Sequence, residues 1–274
     1  MARKPELNRL KAALKGRMRI VSLAPSATSI LCAVGARRSL VGVTKWCCDV
    51  GDVRGLPQVG DCWHMGDVPE IMKLRPTLVI GSVPYKQETV AKILAEPVIF
   101  LAMNPRSLAD VESDIRLLAG IVGRSAAGEK VIRKTRAAFE TIARKAEAVA
   151  RPRGAKSAAP AVRVYCEAWP NPRISSPPWV AELVKIAGGE MVAPAGERVT
   201  EEQVVAGAPD VIVLAWAATG SRAKVSEAYK VEAWKELPAI QNRRVVVIAD
   251  ELLNTPGPPL VDGAKALLRA IHGV

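Results

Sequence analysis

At 274 residues, with 49% hydrophobic and 24% charged side chains, the chain can bury a full core as one large or two modest domains. Its 39 Lys and Arg against 27 Asp and Glu leave a formal net charge of +12. The basic residues are scattered over helical stretches, with concentrations at 1–19 and 124–156, and no aromatic-interleaved basic patch or nucleic-acid motif accompanies them, so no nucleic-acid partner is expected.

The N-terminal stretch has the positive charges of a leader but no apolar core before residue 18, so the chain as written is expected to remain in the cytoplasm. No apolar run approaches the roughly 20 residues of a membrane span. From residue 18 the elements alternate. "MRIVSLAP" predicts a strand, and Ser26 or Thr28 is placed to cap the helix "SILCAVGA", which stops at Gly35. "SLVGVT" predicts a second strand. After residues 44–66 come the helix "DVPEIMKLRP", the apolar strand "TLVIGS", the helix "QETVAKILA" and the strand "PVIFLA". "SLADVESDIRLLAGIVG" then reads as an amphipathic helix.

Residues 126–149 contain no proline, and Val131, Ile132, Ala138, Phe139, Ile142, Ala146 and Val149 recur at helical spacing. They predict one helix about 35 Å long at 1.5 Å per residue. The polar linker "RPRGAKSAAP" follows, and the alternation resumes from "AVRVYCEA" to a last helix, "PLVDGAKALLRAIHG". "DVPEIMKLRPTLVI" (67–80) also aligns without gaps to "TEEQVVAGAPDVIV" (200–213), and both begin with a capping pattern, Asp67 with Glu70 and Thr200 with Gln203. The expected fold is α/β: two Rossmann-like lobes, 18–124 and 161–274, joined by a long helix over 125–150.

The stretch "TKWCCDVGDVRGLPQVGDCWHMG" (44–66) concentrates Cys47, Cys48, Cys62, His64, Trp46 and Trp63. Three chemistries suggest themselves: a metal site, a redox site, or the wall of a pocket for a large flat ligand. Structural zinc sites usually draw on CxxC pairs, whereas here two cysteines are adjacent and the third stands in Cys-x-His. A redox CxxC is also absent. No metal site is therefore predicted. With two histidines in the chain, His64 would have to serve any Ser-His-Asp or Cys-His device, and nothing supplies an orienting partner. Neither a Walker nor a GxGxxG fingerprint is present. No catalytic residue is assigned, and the chain is not expected to be an enzyme. Its six Trp against two Phe concentrate aromatic surface in a residue suited to a planar ring.

"RIVSLAPSATSILCAVGARRSLVGVT", "LRPTLVIGSVPY", "NPRSLADVESDIRLLAGIVG" and "WVAELVKIAGG" together resemble the cobalamin-binding branch of the class III, helical-backbone substrate-binding proteins of ABC transporters. The resemblance spans about residues 18 to 273 and implies two lobes bridged by a single helix, with the ligand between them. Carried over by position, it implies that Trp46, Cys47, Cys48, Trp63, His64, Tyr85, Trp169 and Trp179 contact ligand, with Trp169 and Trp179 on loops of the second lobe. The family's loop commonly reads Trp-Cys-Asp before Tyr-Pro. Here Cys48 replaces the aspartate and the Tyr-Pro is lost. Imidazole and thiolate both bind cobalt and iron, so Cys48 and His64 stand as candidate axial contacts, against the alternative of side chains that line the pocket without coordinating. Trp234 is read as a core residue, and Trp216 is left open between core and ligand.

Family members dock on their permease through one surface glutamate per lobe. Glu202 takes that place in the second lobe. In the first lobe the equivalent position is Pro69, with Glu70 beside it. The resemblance thus implies a monomeric receptor with no cofactor of its own, which carries a corrinoid to an ABC permease outside the cytoplasm. Haem or a ferric chelate on the same fold is the first alternative, which the positive charge favours. A cytosolic corrinoid- or metal-handling protein without a transporter is the second.

Overall fold

The computed structural model describes residues 18–61, 68–84, 86–151 and 160–273. They fold as two compact α/β units. The first contains residues up to Pro105 together with Glu112–Val131, and the second contains Arg106–Val111 and the chain from Ile132 onward.

The sheet of the first unit is built from β1 (Ile20–Ser22), β2 (Leu40–Val43), β3 (Leu78–Ser82) and β4 (Ile99–Met103). All pairings are parallel, in the order β2-β1-β3-β4. Strands covered on both faces must be apolar throughout, which is why β1 and most of β3 are buried at every position. The helices α1 (Pro25–Ala33), α2 (Val68–Lys73), α3 (Gln87–Leu94) and α4 (Leu108–Ile121) alternate with the strands. Val21, Leu23, Val68, Ile71, Val79 and Ile93 form a core under β1 and β3.

Neither Ser26 nor Thr28 caps α1, which starts one residue before Ser26 at Pro25. Proline fits the first helical position because its missing N–H would be unsatisfied there anyway. Thr28 lies inside the helix with its hydroxyl turned toward the end of the sheet. Gly35 does follow the helix with a positive φ of 76°.

The helix α5 (Ser125–Ala150) is unbroken over 26 residues, about 39 Å at 1.5 Å per residue. It contributes to the first unit as far as Val131 and to the second from Ile132. The second sheet contains β5 (Val162–Pro170), β6 (Arg173–Ser175), β7 (Gly189–Met191), β8 (Val211–Leu214) and β9 (Val245–Val247). β5 pairs in parallel with β7 and β8, and β8 with β9. The order β7-β5-β8-β9 therefore repeats the order β2-β1-β3-β4, with β6 added antiparallel to the far end of β5. Around it lie α6 (Pro178–Ile186), α7 (Glu201–Gly207), α8 (Ser226–Tyr229), α9 (Pro238–Gln241), α10 (Asp250–Leu253) and α11 (Leu260–His272). The sequence repeat corresponds to α2–β3 in one unit and α7–β8 in the other. Trp234 is fully buried and stands edge-on to Tyr165, with ring centroids 5.8 Å apart, as a core residue should.

Candidate functional site

In open parallel sheets the loops after the strands' carboxyl ends are where ligands bind, and both units concentrate polar and aromatic side chains there. In the first unit, β2 runs directly into the 3-10 turn Lys45–Asp49. The turn is fastened from below by a buried cluster. Thr28 Oγ1 lies 2.9 Å from Ser22 Oγ and 3.1 Å from Cys47 Sγ, Thr44 Oγ1 lies 3.2 Å from the same sulfur, and Ser22 donates to the Ala24 carbonyl. Cys47 is fully buried. Burial raises its thiol pKa despite the hydrogen bonds from Thr28 and Thr44, so it persists as a neutral thiol.

The resemblance counted Cys47 among the ligand contacts. A sulfur with no exposed surface, held by two threonines, instead anchors the turn that carries its neighbours. Trp46 is half-buried, with Lys45 Nζ 4.5 Å from its ring centroid. Cys48 is exposed and donates to the Lys45 carbonyl at 2.9 Å. Local desolvation and then the Asp49 carboxylate push its thiol above the usual value, which disfavours the thiolate that a metal would need.

In the second unit the carboxyl end of β5 carries Glu167, only 1% exposed. Tyr165 Oη donates to Glu167 Oε2 at 3.0 Å, Arg173 Nη1 pairs with the same oxygen, and Trp216 Nε1 donates to Oε1 at 2.9 Å. Arg173 also reaches Glu201 at 3.4 Å and lies over the Trp234 ring at 4.2 Å. A buried carboxylate with three donors, one of them a guanidinium, is fully compensated. Burial and the Glu167 charge push the Tyr165 phenol far up, so it acts only as a donor. Sequence reasoning missed this hub. Its one sequence signal was an acidic residue on the same strand face as Tyr165, two positions on, in "VRVYCEAW".

Trp169 is the penultimate residue of β5, paired with Ile174 of β6, rather than a loop residue. It is 40% exposed, with its N–H donated to the Asn171 carbonyl at 2.8 Å. Trp179 is likewise not on a loop. It is the second residue of α6, 6% exposed, and its N–H is satisfied by the Leu253 carbonyl at 2.8 Å, so its indole is built into the body of the unit. Trp216 was left open by the sequence. It packs against the core cluster but is only partly buried.

Trp63, His64, Cys62 and Tyr85 lie outside the described residues. Among the described residues no three His, Cys, Asp or Glu side chains gather as a metal site. Glu70 is exposed in the first turn of α2 and paired with Lys73. Glu202 is exposed in the first turn of α7, beside a complete capping box in which Thr200 and Gln203 bond each other's backbone N–H at 3.3 and 2.8 Å. The Thr200 side chain lowers the Glu202 pKa, so that carboxylate is charged at neutral pH.

Comparison with known proteins agrees with this layout. A periplasmic binding protein family model matches residues 20–252. The chain is 25% identical over 264 residues to an uncharacterised ABC transporter substrate-binding lipoprotein of Bacillus subtilis, covering 93% of this chain and 80% of the relative. It is 26% identical over 250 residues to a vitamin B12-binding protein of Vibrio parahaemolyticus, covering 88% and 84%. A solved periplasmic haem-binding protein of Pseudomonas aeruginosa superposes with a TM-score of 0.80 at 21% identity, covering 93% of each chain. With two α/β lobes of repeated strand order and one long helix running through both, the chain belongs to the periplasmic binding protein family, a family of ABC-importer substrate-binding proteins rather than enzymes.

Proposed function

We propose that the protein captures a corrinoid and delivers it to an ABC permease outside the cytoplasm. The observation that carries this reading is the placing of indoles at the carboxyl ends of the strands. Trp46 follows β2 and Trp169 stands one residue before the end of β5, the first half-buried and the second exposed, where a core residue would be fully buried. Indole faces suit a tetrapyrrole-like ring, and the vitamin B12-binding relative supports the choice of corrinoid. Trp63, His64 and Tyr85 join the set on the strength of the resemblance, with Cys48 as a rim thiol, and Cys47 and Trp179 behind it as supports. Glu70 and Glu202 are the proposed permease contacts, each projecting from the first turn of an equivalent helix.

The second reading is haem, favoured by the net charge of +12 and by the likeness to a haem-binding structure. Titration of metal-free protein with cyanocobalamin, cobinamide and haemin decides between them, read by tryptophan quenching and the ligand's visible spectrum. Saturable quenching by the corrinoids, without a comparable response to haemin, is the expected result. Binding of haemin alone would overturn the corrinoid assignment. A shifted cobalt band would identify an axial side chain, with His64 the first to replace.

A further inference from the structure

The Trp216 loop is held far more firmly than a surface connection requires. Ala215 N donates to the Glu167 carbonyl and Ala217 N to the Ala168 carbonyl, both at 2.9 Å, so the loop continues the β8–β5 pairing beyond the strands. Asn254 Nδ2 donates to the Ala215 carbonyl at 2.7 Å. The Asp250 carboxylate receives Ala218 N at 3.0 Å and Gly220 N at 2.5 Å. Inside this frame the Trp216 ring has one fixed bond, from Nε1 to the buried Glu167 carboxylate. That carboxylate is itself locked by Tyr165 and by Arg173, which is held on β6 and braced by Glu201.

A core tryptophan can be held without its N–H being fixed. Trp234 in the same unit is fully buried against Tyr165 and under the Arg173 guanidinium, with its own N–H left without a partner. Trp216 instead keeps part of its surface open beside the end of β5, the strand that also carries the exposed Trp169. A charge-assisted bond that fixes the rotation of a partly buried indole prepays the ordering that a ligand would otherwise impose.

We propose that Trp216 is a ligand-stacking residue of the second unit, paired with Trp169, and that Glu167 is its positioning residue. The inference rests on the reading of the protein as a receptor for a large planar ligand, and it holds for a corrinoid or a haem alike.

The test uses three diamagnetic probes, cyanocobalamin, dicyanocobinamide and gallium protoporphyrin, on the full chain. In wild-type protein, addition of the bound probe should shift the indole N–H resonances of Trp169 and Trp216 and leave that of Trp234 in place. The assignments come from single Trp→Phe replacements. Trp216→Ala should weaken binding about ten-fold. Glu167→Gln should weaken it several-fold, because the amide cannot accept from both sides of the hub. Once Trp216 is alanine, Glu167→Gln should cost no further affinity, although it still lowers the melting temperature. A Glu167 that acted only through stability would lower affinity equally in both backgrounds, which would overturn its assignment. If E167Q fails to fold, the indole shifts and W216A still judge Trp216. A probe that binds wild type and W216A alike, without moving the Trp216 resonance, sinks the inference alone. Wild type that binds none of the three probes sinks the receptor reading and the inference with it.

Discussion

Cys47 and Cys48 are chain neighbours with opposite surroundings. One is sealed between Thr28 and Thr44, and the other is exposed beside Asp49. Both thiols sit above their ordinary value of 9.0, and Cys166 is pushed up to about 12 by burial. The nucleophile is the thiolate, so exposure decides which of these three reacts and pH decides when. Iodoacetamide should label Cys48 ahead of Cys47 and Cys166, slowly at pH 7 and much faster above pH 9, as mass spectrometry of the digest would record. Full labelling of Cys48 within minutes at pH 7 would contradict the assigned surroundings.

Asp210 supplies a second test at this scale. Its carboxylate holds the Arg163 guanidinium in a two-point fork, at 2.9 and 3.1 Å, and also accepts the Arg163 backbone N–H at 2.9 Å, tying the start of β8 to β5. The Arg163 side chain lowers the Asp210 pKa from its ordinary 3.8. A carboxyl depressed by folding adds stability above its unfolded value and loses it as pH falls through the folded one. Asp210→Asn should therefore cost on the order of 1 kcal/mol at pH 7, a modest figure because the pair is partly exposed. The gap from wild type should shrink below about pH 4. An unchanged gap at pH 3, measured by urea denaturation, would show that the ion pair is not its source.

Where elements meet, glycine has a packing role that its helix propensity would not suggest. Gly263 lies within α11, a position where alanine would ordinarily add up to about 1 kcal/mol. A Cβ at that position would overlap the Leu252 carbonyl oxygen and come within 2.9 Å of Leu253 Cδ2, so α11 approaches α10 by way of the missing side chain. Gly263→Ala should lower stability by about 1–3 kcal/mol, reversing the usual sign, and thermal unfolding would show it. A gain in melting temperature would mean that the two helices are free to move apart.

Elements with strong periodicity were legible in the sequence. The long α5, the apolar β3 and β8, and the capping box of α7 follow directly from spacing and residue type. The start of α1 was misread, because Pro25 sets the first turn before either hydroxyl can cap it. β6 was hidden because three residues between a proline turn and a proline-led helix carry no period. The site was less legible than the fold. Exposure of Trp169 against burial of Trp179 depends on tertiary neighbours, and the two look alike in sequence, each being a tryptophan next to proline. The Tyr165–Glu167 spacing on β5 is local, but the hub is completed by Arg173 from β6 and Trp216 from the loop after β8, which no local pattern encodes.

At the scale of the whole molecule, repeated topology and net charge pull the functional reading in different directions. The strand order is the same in both sheets and the chain carries a charge of +12, with 39 basic residues against 27 acidic ones. A long-range positive field raises the local concentration of anions and favours their association, and salt screens it over about 10 Å at 0.1 M. It does nothing for a neutral ligand. Cyanocobalamin is neutral overall, whereas haemin carries two propionates, so ionic strength separates recognition by ring stacking from recognition by charge. If the indoles select the ligand, raising sodium chloride from about 0.05 to about 0.5 M should leave cyanocobalamin affinity within about two-fold while weakening any haemin binding about ten-fold or more. Isothermal titration at the two salt concentrations measures both. Cyanocobalamin binding that collapses with salt would place the selecting contacts on charged groups rather than on Trp46 and Trp169. Haemin binding that is tight and salt-insensitive would make the porphyrin the better fit, and the net charge would then have to serve another surface.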